Sequence, residues 1–176
     1  MNKKKIIIWI LVLIALVTIF ILLYKPEKSF SRIELNKSSY VTNNTKYPYI
    51  DTIIHVGLDS IGIKGVAIQV RELTKESKAA LGENVELKGA LYGYGNQYLM
   101  FVSEGSRQNH ISIVSHELIH LRQYYTNRLI YNGTFVYFDS VKYNLSDVDY
   151  FSRPWEKEAF EKETKLSNQI ISKLYN

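Results

Sequence analysis

The stretch SHELIHLRQYY, Ser115 to Tyr125, constrains this chain more than any other. The residues before it, ISIV, and the leucines and isoleucine within it are apolar on several sides, so a helix built from them is largely buried. Buried polar side chains require partners. His116 and His120 stand one helical turn apart and project from the same face, which lets both imidazoles direct a ring nitrogen at one cation. Glu117 is rotated about 100° around the helix, so it reaches a water beside that cation rather than the cation itself.

Two ligands and a base on one rigid element make the H-E-x-x-H arrangement of zinc hydrolases. With four His and twelve Glu in 176 residues, chance yields such a motif in fewer than about one chain in a hundred. A hydrolytic zinc site takes three protein ligands and keeps one position for water, so a third ligand is expected elsewhere. His110, six residues before His116, sits about 120° away around the same helix and cannot easily join the pair. His55 falls in an apolar, strand-like pattern and reads as a core or sheet-face residue.

The C-terminal RPWEKEAFEKE supplies four glutamates on a helix that Pro154 is well placed to start. Trp155, Ala159, Phe160, Leu166, Ile170 and Leu174 define its buried face, and Glu156 falls inside that face. An acid within an apolar stripe is costly unless paired or bound to a metal, which makes Glu156 the expected third ligand. Glu158, at the margin of the face, is the alternative. Glu163 lies on the same face, placed for a hydrogen bond to one of the histidines.

The order of elements points to an α+β fold, a small antiparallel or mixed sheet followed by the zinc-binding helix and the glutamate-bearing helix. Residues 49–58, 65–73 and 86–105 read as strands, the last as a hairpin around YGYGN. A helix is expected over Asn109 to Asn127, a hairpin over GTFVYFDSVKYNL, and a final helix over Pro154 to Leu174.

Ahead of this domain, Ile6 to Tyr24 is an uncharged run; as a helix it would be roughly 28 Å long, enough to cross a hydrocarbon core. A cleaved signal peptide is the competing reading, but the run is longer than a signal h-region and ends in Tyr24, Lys25 and Pro26 rather than small residues. Residues 1–28 are therefore expected to be a transmembrane anchor with its flanks, 29–48 a polar linker and 49–176 the metallopeptidase-like domain. Lys3, Lys4 and Lys5 favour a cytoplasmic N-terminus and an extracytoplasmic domain. Five lysines and one glutamate in residues 1–28 account for most of the net charge of +5, so the domain has no electrostatic footprint for nucleic acid. With no Cys, disulfides, thiolate metal sites and thiol nucleophiles are all excluded.

HELIH followed by a later helical WEKEA resembles the gluzincins, zinc metallopeptidases with two histidines on one helix and a glutamate on a later one, and the small single-domain minigluzincins above all. The resemblance spans about residues 86 to 165. It implies that His116, His120 and Glu156 bind Zn2+ and that Glu117 is the catalytic acid/base. It also implies that the strand NQYLMFVSE, Asn96 to Glu104, pairs with an extended peptide or protein substrate. Members often continue the ligand helix as E-x-x-A-D, whereas Phe160 follows Ala159 here. Tyr150, Arg153 and His110 are candidate oxyanion donors. A non-catalytic zinc-binding domain, or a tethered adhesion or structural domain, is the alternative; oligomeric state is not readable from the sequence.

Overall fold

The computed structural model describes residues 39–77, 87–133 and 135–176. The anchor run Ile6–Tyr24 and its flanks lie outside them. Among the described residues no helix is long and apolar enough to cross a membrane.

The fold is mixed α+β. Strand β1 (Tyr40–Asn43) is followed by helix α1 (Ile50–Ile61), strand β2 (Ala67–Glu72) and the hairpin β3 (Gly89–Tyr94) and β4 (Gln97–Val102). Helix α2 (Arg107–Tyr125) comes next, then strands β5 (Leu129–Asn132), β6 (Phe135–Phe138) and β7 (Val141–Asn144). Two short 3-10 turns lead into the last helix, α3 (Pro154–Tyr175). A four-stranded sheet has the order β1-β2-β4-β3, parallel except for β3, and β5-β6-β7 make a separate antiparallel sheet.

The metal-motif helix is held on most of its circumference. Ser106 caps it by accepting from the Asn109 N–H at 3.3 Å, and its Ile111, Val114, Leu118 and Leu121 are fully buried. It packs against α1, α3 and the inner face of the sheet, where Tyr98, Met100 and Val102 alternate toward the core. Helix α3 begins with Pro154 in its first turn, as the sequence predicts.

Three expectations are corrected. Residues 49–58 are not a strand but the start of α1: Ile50, Ile53, Ile54, Gly57 and Leu58 are its buried residues, and that spacing is a helical stripe that outweighs the β-branched composition. His55 consequently lies exposed on α1, neither in the core nor on a sheet. The segment read as polar linker contributes β1, which pairs in parallel with β2 through Tyr40↔Ala67 to Asn43↔Val70. The segment Asn96 to Glu104 does not supply the edge strand: β4 is enclosed between β2 and β3, so both its edges are used. Among the described residues the outer strands of the sheet are β1 and β3, and β3 is the one whose Gly89 lies against Glu117.

Helix α1 approaches α2 and α3 at Gly57, where an added Cβ would lie 2.3 Å from Leu118 Cδ1 and 3.2 Å from Ile170 Cδ1. Leu118 and Ile170 are both fully buried, so neither has open space to move into. Gly57→Val is expected to destabilise the domain by about 1–3 kcal/mol through overpacking, read as a lower urea midpoint with an unchanged slope.

Candidate metal centre

His116 and His120 on α2 meet Glu156 from the first turn of α3, and each is less than a tenth exposed, at 8%, 7% and 6%. The three facing atoms form a nearly equilateral triangle. His116 Nε2 and His120 Nε2 are 3.1 Å apart, and Glu156 Oε2 is 3.3 Å from the first and 3.2 Å from the second. A tetrahedral ion with ligands at about 2.0–2.1 Å has edges of about 3.3–3.4 Å, so one face of such a site nearly coincides with this triangle. The group can hold a metal ion. An imidazole pair with one carboxylate favours a first-row transition ion over magnesium or calcium, which prefer all-oxygen sets.

Both ring orientations are fixed from behind. His116 Nδ1 lies 2.8 Å from Glu163 Oε2 and His120 Nδ1 lies 2.9 Å from Gln123 Oε1. A carboxylate and an amide oxygen only accept, so each Nδ1–H donates and each Nε2 is turned toward the shared point. Glu163 thus takes the role the sequence suggested for it. Gln123 was missed: one turn beyond His120 on a helix, it reads as an ordinary polar residue, yet it is buried and its Nε2 donates to Trp155 O at 3.0 Å. Phe160, expected on the buried face of α3, is instead 42% exposed and packs on the His116 ring at 4.7 Å between centroids. It occupies the position where the gluzincin pattern carries an acid, and Glu163 supplies the orienting carboxylate from the next turn.

Glu158 does not belong to the triangle. It accepts from Arg128 Nη1 at 2.9 Å and from Gln123 Nε2 at 3.4 Å, and pairs with Lys162. His110 also lies apart from it, donating through Nε2 to Ser103 O at 2.9 Å and accepting at Nδ1 from the Tyr49 hydroxyl at 2.9 Å. Of the three oxyanion candidates, Tyr150 and Arg153 line a cavity together with Glu117, His120 and Glu156. His110 does not.

The electrostatics of these protein groups favour positive charge at their centre. Burial works against a charged His116, but the carboxylates of Glu156 and Glu163 outweigh it and push the imidazole up to about 10. His120 is likewise raised, Glu156 overcoming the effect of burial. Burial also disfavours the Glu156 anion, yet hydrogen bonds from both histidines hold its carboxyl far below the usual range. Glu117 behaves differently: burial dominates over the nearby imidazoles and raises it to about 7. Its carboxylate lies under β3, where a Cβ added to Gly89 would be 2.5 Å from Glu117 Oε1 and 2.7 Å from Ile113 Cγ2. Only glycine lets the edge strand come this near Glu117.

Compared with protein-family models, curated proteins and solved structures, the chain matches none.

Wild-type protein is expected to bind about one divalent metal ion per chain, measured by elemental mass spectrometry after dialysis, and both His120→Ala and Glu156→Gln are expected to lose it. Glu163→Gln, which weakens an orienting bond, and Gln123→Leu, which removes one together with the bonds to Trp155 O and Glu158, should retain the site with affinity lowered about 10–100-fold. Glu158→Gln should bind as wild type does.

Proposed function

We propose that the protein is a zinc-dependent peptidase of gluzincin type, tethered to a membrane by the run Ile6–Tyr24 with its catalytic domain on the extracytoplasmic side. The observation that carries this reading is the pairing of a three-ligand triangle, His116, His120 and Glu156, with a buried glutamate on the same helix. A site that only stapled the fold would have no use for Glu117 against its inner edge. That favours the peptidase over the non-catalytic alternative, and Glu117 beside the site favours hydrolytic zinc over the ferrous iron that the same three donors also suit.

His116, His120 and Glu156 would hold the zinc, which would supply Lewis acidity to a water molecule and to the scissile carbonyl. Glu117 takes the proton from that water as it attacks, then delivers it to the departing amine. Burial, which raises this carboxylate, keeps it ready to hold a proton and to give it up again in the cleft. Glu163 and Gln123 hold the histidine tautomers, and Gly89 keeps the strand backbone directly above the base.

Tyr150 is the side chain best placed to donate to the developing oxyanion. It borders the cavities on both sides of Glu117 and faces the site from the turn that leads into α3. The free edge of β3 runs along the same cleft, and an extended peptide added there gains main-chain hydrogen bonds with little demand on its sequence.

Glu117→Gln is expected to retain its metal and to lose all peptide cleavage; full cleavage by this variant would exclude the mechanism. Tyr150→Phe should lower kcat by about 10²–10³ with little change in KM, the loss typical of one oxyanion donor. Gly89→Ala forces a methyl group onto the Glu117 carboxylate, so at least about a tenfold fall in kcat at full metal content is expected, with the acidic limb of the pH–rate profile displaced.

A further inference from the structure

The four-stranded sheet has a second side, away from the metal site. Its inward residues Ile68, Val70, Met100 and Val102 share one core with the three helices. The residues that alternate with them face the other way and take no part in that core. Strands β1, β2 and β4 run parallel, and parallel sheets occur almost only where both faces are covered. Here one face lacks its cover among the described residues.

The chemistry of that face is unlike an ordinary wet surface. Register sets Tyr40 in line with Ala67 and Gln97, Gln69 with Leu99 and Tyr92, and Arg71 with Phe101 and Ala90. Tyr40 is 53% exposed, Tyr92 43% and Tyr94 92%, and Leu99 and Phe101 are half-buried. Tyr92 stands edge-on to Phe101 with ring centroids 6.3 Å apart. Among the described residues no aspartate or glutamate alternates onto this face from any of the four strands, and Arg71 is its one charged group.

That composition suits a lipid surface. Tyrosine is enriched where membrane meets water, because its ring gains by burial while its hydroxyl stays wet. Arginine lays its stem on apolar surface and keeps its head in water. A carboxylate there would lose hydration without a partner, and none is present. Position in the chain argues the same way. The face begins at Tyr40, and residues 25–38, between the run Ile6–Tyr24 and the first described residue, reach at most about 50 Å even fully extended. A tether of that reach makes docking intramolecular, so a face too weak to bind free vesicles is sufficient.

We propose that the outward face of the β1-β2-β4-β3 sheet lies against a lipid bilayer, with Tyr40, Tyr92, Leu99 and Phe101 at the level of the headgroups. The inference rests on the membrane tether of the function proposed above and not on its chemistry. It adds a consequence for the substrate. Strand β3 belongs to this face and also borders the metal cleft, so a peptide segment emerging from the same bilayer meets the cleft at the surface.

The test uses the full-length protein in vesicles of phosphatidylcholine and phosphatidylglycerol at low protein density. The chain has no cysteine, so Thr42→Cys on the face and Asn168→Cys on the exposed side of α3 each take one fluorescent label. Nitroxide-headgroup lipid is expected to quench the label at Thr42 and to leave the one at Asn168 bright. Adding Leu99→Glu should abolish that quenching, and Tyr40→Glu, at an exposed position, carries this arm if the first variant does not fold. A bright Thr42 label in protein that remains in the vesicles through an alkaline wash overturns the docking and leaves the tether standing. So does quenching that neither glutamate alters. Protection of the Thr42 label that rises with protein density and not with nitroxide lipid assigns the face to a second copy of the chain and overturns the lipid proposal. Protein that the wash strips from the vesicles overturns the tether itself, and this inference with it.

Discussion

The rest of the structure depends on how the domain tolerates two imidazoles and a carboxylate with their facing atoms 3.1–3.3 Å apart in a nearly dry interior. Three polar groups in such a place cost several kcal/mol unless something satisfies them. Glu163 and Gln123 satisfy the outer nitrogens, and a cation held at the centre would satisfy the inner atoms. The remainder of the fold can be understood as what brings α2 and α3 close enough for this. The small residue Ala159, fully buried one turn after Glu156, leaves room for the close helix contact, and Gly57 does the same for α1.

The second constraint is the position of β3. A hairpin laid at the edge of a parallel sheet has its outer arm free, and here that arm passes over the motif helix with Gly89 against Glu117. One glycine thereby does two things. It shields the glutamate from bulk water, which is why burial governs its charge, and it brings main-chain donors and acceptors to the cleft beside the metal site. Any side chain at this position would trade one function against the other.

Helices were legible in the sequence where an apolar period of 3.6 coincided with a start signal, as with Pro154 for α3 and the ISIV–HELIHL pattern for α2. The same period put Glu156 on the buried face, with Glu158 as its substitute, and gave Glu163 a bond to one of the two histidines; the structure brings Glu156 to the histidine pair and Glu163 to His116. It was overlooked at Ile50–Ile61, where β-branched composition suggested a strand although the isoleucines recur at helical spacing. Sheet order was beyond reach for a different reason. Which arm of the β3–β4 hairpin becomes the edge depends on the parallel pairing of β4 with β2, a contact between distant segments that leaves no local pattern. Gln123 was hidden in the same way, since only the tertiary approach of Trp155 makes its amide a structural group. The β6–β7 hairpin was legible in GTFVYFDSVKYNL from its alternating pattern, although its turn uses Asp139 and Ser140 at positive φ rather than a glycine.

A chain of polar contacts joins the small sheet to the metal site, and its two halves differ in strength. His120 bonds Gln123, which is 1% exposed and anchored to the Trp155 carbonyl. Farther out, Gln123 meets Glu158, Glu158 meets Arg128, and Arg128 forks onto Asp139 in the β6–β7 turn with two bonds of 2.6 Å. The Arg128 and Asp139 side chains are 39% and 48% exposed, so this outer pair is screened by solvent and contributes little. The inner bonds are buried and stronger. The wall of the cleft is thus fastened by a link that solvent weakens, while the ligand it leads to is fastened by one that solvent does not reach. Such a gradient leaves the orientation of His120 to the buried bonds of Gln123, whatever becomes of the outer ion pair.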